Sequence, residues 1–109
     1  SDNMTQYVVE QITDHRDALV AEQAFRYEAI LSPHLRKLGQ EHKQALMLKL
    51  VSLMKLIQSP SPVEDANIVI AIIHRIEYEG LLMEPEALNR EDIRAMLHRQ
   101  LTLMFTPND

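Results

Sequence analysis

Histidine and carboxylate side chains are the groups of this chain from which acid–base or metal chemistry would start. The five histidines are His15, His34, His42, His74 and His98. Only His74 has a carboxylate at helical spacing, Glu77, and residues three apart share one face of a helix. A carboxylate-bridged metal site needs a second such pair, and the only candidate complement, His98, has Arg94 and Arg99 as helix neighbours. The sequence therefore predicts no metal site, with the histidines on surfaces or interfaces.

Nucleophilic and cofactor chemistry also lack their usual residues. The chain has no cysteine, which excludes disulfides, a thiolate nucleophile, a cysteine zinc site and an iron–sulfur cluster. Two glycines and no GxSxG motif leave neither a nucleophile turn nor a phosphate-cradling loop. We therefore expect a non-enzymatic protein with no catalytic residue and no cofactor. The absence of cysteine fits a reducing compartment, and we expect the cytoplasm.

The distribution of charge is uneven along the chain. The net charge of −5 argues against direct contact with nucleic acid, because the phosphate backbone attracts basic surfaces. Residues 32–62 hold five bases and one acid, whereas the segments on either side are acidic. Two interpretations stay open: complementary helices within one bundle, or a basic docking face for an acidic partner. The longest apolar run, Ile68–Ile73, has six residues and is too short to span a membrane.

The positions of these side chains depend on the helices, which the apolar periodicity predicts throughout. We expect an all-α fold, a single helical bundle domain over residues 4–109, with residues 1–3 set aside as a cloning remnant. The predicted segments are Met4–Thr13, His15–Leu31, a short turn His34–Leu38 stopping at Gly39, Gln40–Gln58, Val63–Glu79 and Glu91–Phe105. Asp14, Ser32 and Asn89 are predicted to cap helix starts, with Pro33 at a first helical position. Ser59–Pro62 is predicted to break the chain between two helices.

Two sets of apolar residues have a use beyond a filled core. Methionine and aromatic side chains form adaptable walls, so the first set predicts either ordinary core or a pocket for a small apolar effector. The pocket candidates are Phe25, Tyr27, Met47, Met54 and Tyr78. The second set lies on the last two helices, where the Ile68–Ile73 run needs cover on all sides. A symmetry mate would provide that cover, so we expect a homodimer with an interface at Ile72, Ile73, Ile76, Ile93, Leu97, Leu101 and Met104, although a central position within the monomer is the alternative.

Two stretches, Ile12–Leu19 and Leu81–Ile93, carry a resemblance to a known family. The second runs from an apolar helix end through Pro85 and Leu88 to an acidic helix start at Glu91. In this order of features the chain resembles the C-terminal regulatory domain of TetR-like transcriptional regulators. The resemblance implies a ligand-binding domain for transcription regulation, whose last two helices pair with those of a second copy in a four-helix interface. The helix-turn-helix head of such regulators has no counterpart here, so we expect no DNA contact from this domain.

A shorter resemblance gives a competing interpretation. Ser32–Glu41, continuing through Leu46–Met54, is similar to the BESS motif, a protein–protein interaction module of DNA-associated proteins. It implies a helical interaction domain without a small ligand, in the nucleus rather than the cytoplasm. The region Arg36–Lys55 would then be the docking face.

Overall fold

The computed structural model describes residues 2–104, and over this range the fold is all-α. The helices are α1 (Asp2–Ile12), α2 (Arg16–Leu31), α3 (Pro33–Leu56), α4 (Pro62–Leu81) and α5 (Arg90–Met104), with a 3₁₀ turn at Pro85–Ala87 before α5. The predicted five-helix bundle is confirmed, and the Ile68–Ile73 run lies in the middle of α4. Helix α1 begins at Asp2, two residues before the predicted start at Met4, and the assignment of residues 1–3 to a cloning remnant stays a prediction.

Helix α3 is longer than predicted because Gly39 does not interrupt it. Ser32 caps its start as expected, its hydroxyl oxygen accepting the Leu35 N–H at 3.4 Å, and Pro33 follows at the first helical position. Gly39 keeps a helical backbone with negative φ. A Cβ atom on it would lie 3.2 Å from the Ala29 Cβ, so glycine permits close packing of α2 on α3. The predicted stop at Gly39 is wrong, since a packing glycine and a turn glycine look alike in sequence.

The end of α3 is a Schellman motif built on a non-glycine residue. Gln58 has a φ of 63°, and the backbone N–H groups of Gln58 and Ser59 donate to the Lys55 and Met54 carbonyls at 3.0 and 2.9 Å. The Ser59 hydroxyl then donates to the buried carboxylate of Asp65 in the first turn of α4. The predicted break at Ser59–Pro62 is therefore confirmed as a tight corner between the two helices.

The buried core lies mainly between α1, α4 and α5, whereas α2 and α3 each contribute one fully buried apolar residue, Leu19 and Met54. The other core residues are Val8, Ile12, Ala66, Val69, Ile73, Ile76, Ile93, Leu97 and Met104. The molecule is flattened, with extents of 45 × 35 × 19 Å and a radius of gyration of 15.0 Å, against about 13 Å for a compact chain of this length. Its thickness allows two layers of helices.

Arg16 and Gly80 hold α1 against the end of α4. Arg16 donates to the Ile12, Leu81 and Met83 carbonyls at 3.2, 3.1 and 2.7 Å. A Cβ atom on Gly80 would lie 2.8 Å from the Ile12 Cδ1, so the helix continues through this glycine to pack on α1. Helix α4 therefore ends at Leu81 rather than at the predicted Glu79. The start of α2 also differs from prediction: the residue before the helix is His15, which makes no side-chain cap, and not Asp14.

Candidate functional site

Two adjoining cavities, both open to solvent, lie beside α4. The larger, of about 790 Å³, lies between α2, α3 and α4, and the smaller, of about 420 Å³, also has α1 in its wall. The two cavities share the side chains of Glu22, His42, Leu46, Ile70 and His74, so they adjoin along one boundary. Both volumes are within the range of small-molecule sites.

The space exists because small side chains stand where the three helices face one another. Ala29 of α2, Gly39 of α3 and Ala71 of α4 line the larger cavity. Phe25, Met47 and Ile70 complete much of its apolar wall. Since α2 and α3 bury so few residues elsewhere, their inner faces remain available to this cavity rather than to a filled core.

Glu77 is the most unusual polar group of the site. Its residue surface is 6% exposed and it lines the smaller cavity. Within residues 2–104 its carboxylate has no hydrogen-bond or ion-pair partner. Burial raises its pKa from 4.5 to about 7; the negative charge of Glu22 adds to this rise and Arg26 opposes it. A buried carboxylate without a partner has hydrogen-bonding capacity that a ligand can use.

Two histidines, His42 and His74, line the smaller cavity together with Glu77. Burial, with the positive charge of Arg26, lowers the pKa of half-buried His74 to about 4, so its imidazole is neutral at pH 7. His42 Nε2 lies 3.9 Å from Glu22 Oε1 near the surface. The predicted absence of a metal site stays a prediction; among the described residues no group of three or more histidine, aspartate or glutamate side chains is arranged to hold a metal ion.

The larger cavity is lined by basic side chains, in contrast to the smaller cavity, which contains Glu77. Arg26, Arg36 and Lys43 line it, whereas Glu22 lies on the shared boundary and Glu77 belongs to the smaller cavity alone. The Arg26 guanidinium donates to Gln23 Oε1 at 3.1 Å, and that of Arg36 donates to the Ile30 carbonyl at 3.0 Å. The pair of cavities is therefore basic at one end and acidic at the other.

The predicted pocket residues are only partly brought together. Phe25 and Met47 line the larger cavity. Met54 lies in the core at 1% exposure, whereas Tyr27 and Tyr78 are 63% and 59% exposed and line neither cavity. Tyr27 is on the wrong side of α2, whose cavity face repeats at positions 22, 25, 26 and 29.

Sequence analysis missed Glu22 and Arg26 and considered Glu77 only as a metal ligand. The available signal was polar side chains at helical spacing within apolar stretches: Glu22 and Arg26 on α2, and His74 and Glu77 on α4. Such a spacing places the groups on one face of a helix. It does not show that a cavity lies in front of them.

The predicted interface residues of the last two helices have a different location. Ile73, Ile76, Ile93, Leu97 and Met104 are buried in the protomer's own core, and partly buried Ile72 and Leu101 pack against that core. Helix α1 packs on both α4 and α5 and covers this side. The exposed large apolar side chains of α4 and α5 are Val63, Ile68, Tyr78, Met96 and Leu103, with Leu82 and Met83 directly after α4. We name five of them, Ile68, Tyr78, Leu82, Met96 and Leu103, the outer apolar surface.

Comparison with known proteins agrees with this architecture. The family model described as "Tetracyclin repressor-like, C-terminal domain" matches residues 1–103. No curated protein matches the chain closely enough to count as a relative. Among the described residues no helix is long and apolar enough to cross a membrane. With nearly the whole length matched and an all-helical bundle around a cavity, the chain belongs to the tetracycline-repressor-like family, as its C-terminal domain.

Proposed function

We propose that this chain is the effector-sensing and homodimerisation domain of a transcriptional regulator, acting without enzymatic chemistry. The observation that carries the proposal is the pair of apolar-walled cavities between α2, α3 and α4, with a buried unpartnered carboxyl group in the smaller one. Family membership supports a regulatory role of this kind. The effector we propose is a small molecule with a substantial apolar part, since Phe25, Leu46 and Ile70 supply much of the wall.

Helix α4 provides a physical link between effector binding and the second copy. Ile70, His74 and Glu77 face the cavities, whereas Ile68 is exposed on the outer apolar surface. A rigid helix transmits a displacement along its whole length, so a ligand that moves α4 also moves this surface. Binding and pairing would then be coupled, and a ligand with different affinity for two positions of α4 would shift their populations.

Dimerisation is supported by the amount of apolar side chain that the outer apolar surface exposes. Leu82 is 71% exposed, and Ile68, Met96 and Leu103 are between 43% and 49% exposed. Pairing the outer apolar surface with that of a second copy would remove these side chains from water in a closed, symmetric contact.

Sedimentation velocity at about 10 μM tests the pairing. We expect a dimer for the natural chain and a monomer for Leu82→Glu and Leu103→Glu, because a charge in a buried apolar contact is expensive. Leu48→Glu is the matched control, since Leu48 on α3 is 72% exposed and lies outside the proposed surface. A monomeric natural chain would rule out the dimer, and a dimer that survives both α4–α5 variants would place it elsewhere.

Binding of a neutral naphthalene probe, followed by its fluorescence, tests the cavity. We expect Ala71→Trp to abolish binding by filling the larger cavity, of which Ala71 forms part of the wall. Ala45→Trp is the control, because Ala45 is exposed on α3 and lines neither cavity. Equal binding by both variants would contradict an effector site between α2, α3 and α4.

The competing interpretation, a protein-interaction module with Arg36–Lys55 as docking face, has less support. Two bases of this region, Arg36 and Lys43, line the larger cavity, which divides the expected basic face.

A further inference from the structure

We infer that the effector is an organic cation, an apolar molecule with a protonated or quaternary nitrogen, whose charge lies against the Glu77 carboxylate in the smaller cavity. The inference rests on the proposed function and adds the chemical class of the ligand and its orientation.

Glu77 is 94% buried and lines the smaller cavity. No described residue donates a hydrogen bond to its carboxylate, and the charge of Arg26 only partly offsets the effect of burial. Burial removes part of the hydration of this carboxylate, and no described residue replaces the lost water with a hydrogen bond. The binding partner that best compensates the ionised carboxylate is a cation, because an opposite charge nearby favours the charged form in a partly desolvated site.

The walls around Glu77 favour an organic cation over a metal ion. Leu50, Leu53 and Ile73 line the smaller cavity and can pack against carbon. Glu22, His42 and His74 line it too, but among the described residues no three such side chains are arranged to hold a metal ion. The phenol ring of Tyr7 lines the same cavity, and an aromatic face attracts a cation through its quadrupole. A carboxylate, an aromatic ring and aliphatic walls together match an ammonium group with an apolar substituent.

The charge difference between the cavities sets the orientation. Arg26, Arg36 and Lys43 line the larger cavity and repel a cation there, whereas Glu22 on the shared boundary adds negative charge toward the smaller one. The nitrogen therefore lies in the smaller cavity. The apolar body extends past Leu46 and Ile70, which line both cavities, toward Phe25 and Met47 in the larger one.

Three naphthalene probes of nearly equal shape test this inference. They are (naphthylmethyl)trimethylammonium, its carbon isostere neopentylnaphthalene, and naphthylmethanesulfonate, titrated at pH 8.5 and low salt, where Glu77 is ionised. We expect the cation to bind the natural chain at least tenfold more tightly than the sulfonate. In Glu77→Gln we expect the cation to lose at least tenfold in affinity and the isostere to change less than twofold, since only the cation gains from the charge.

Glu79→Gln is the matched control, because Glu79 is an exposed acid of the same helix that pairs with Arg75 at the surface. We expect no change in affinity for any probe in this variant. If the loss of affinity for the cation in Glu77→Gln equals that for the isostere, or if the sulfonate binds most tightly, the cation inference is overturned and the effector cavity stands. If none of the probes binds and the natural chain sediments as a monomer, both the cation inference and the proposed function fail.

Discussion

Glu77→Gln replaces a buried carboxyl group that can ionise with an amide of almost the same shape that cannot. In the folded chain without ligand, burial raises the pKa of Glu77 from 4.5 to about 7. The folded state therefore binds this proton more tightly than the unfolded state does. The resulting stabilisation is complete below pH 4.5 and is lost as the pH rises through about 7. The natural chain is thus expected to lose stability over this range, whereas Glu77→Gln lacks this loss.

The magnitude follows from the two pKa values. Their difference, about 2.5, corresponds to about 3 kcal/mol at 1.36 kcal/mol for each tenfold change in proton affinity. The carboxylate keeps part of its contact with solvent, which screens its charge, so we expect the free energy of unfolding of Glu77→Gln, relative to the natural chain, to increase by about 1–2 kcal/mol between pH 4.5 and pH 8.5. Urea titrations at one fixed protein concentration measure this difference, since a dimer gains apparent stability with concentration.

Other groups that face Glu77 are the same in both proteins and cancel in the comparison. They are Tyr7 on α1, Glu22 and Arg26 on α2, His42 on α3 and His74 on α4. His74 acts in the opposite sense, because its lowered pKa means that stability is lost as the pH falls from 6.5 toward about 4. If the difference in free energy of unfolding between Glu77→Gln and the natural chain changes by less than about 0.5 kcal/mol from pH 4.5 to pH 8.5, the account of Glu77 as a buried, unpartnered acid is refuted.

Three further changes test the packing that positions the site. Gly80→Ala is expected to destabilise by about 1 kcal/mol in urea unfolding, because its Cβ would meet the buried Ile12 side chain at 2.8 Å and outweigh the better helix propensity of alanine; a more stable variant would contradict this. Gln58→Gly should raise the melting temperature through a gain of about 0.5–1 kcal/mol, since Gln58 has a φ of 63°. Arg16→Met should cost about 1–2 kcal/mol in urea unfolding by leaving three carbonyls without their donor, and Arg16→Lys should restore only part of it.

The helix boundaries could be predicted because capping residues and prolines mark them within a few residues. Ser32–Pro33, Ser59–Pro62 and Asn89 each mark a helix boundary by chemistry within a few residues, and the structure keeps all three; Asn89 Oδ1 accepts the Asp92 N–H at 3.2 Å. The two glycines were misjudged because their role depends on Ala29 and Ile12, which are distant in sequence.

The site and the pairing surface were harder to predict because α4 is apolar on most of its circumference. Periodicity finds the apolar stripe of such a helix but does not show which side faces α1, a cavity or a second chain. Ile73 and Ile76 were predicted to lie in a dimer interface, with a central position in the monomer as the alternative, and they are buried in the protomer's own core. Glu77 was noticed through His74, but its value as a buried acid follows only from the helices that close around it.

The uneven distribution of buried side chains has a consequence for motion. Leu19 and Met54 are the fully buried apolar residues of α2 and α3, whereas α1, α4 and α5 share the rest of the core. Local opening takes the least free energy where few buried contacts must break. We therefore expect the amide hydrogens of α2 and α3 to exchange with deuterium sooner than those of α4. A ligand would then enter the cavity when α2 and α3 open transiently. Its binding would slow amide hydrogen exchange along both helices.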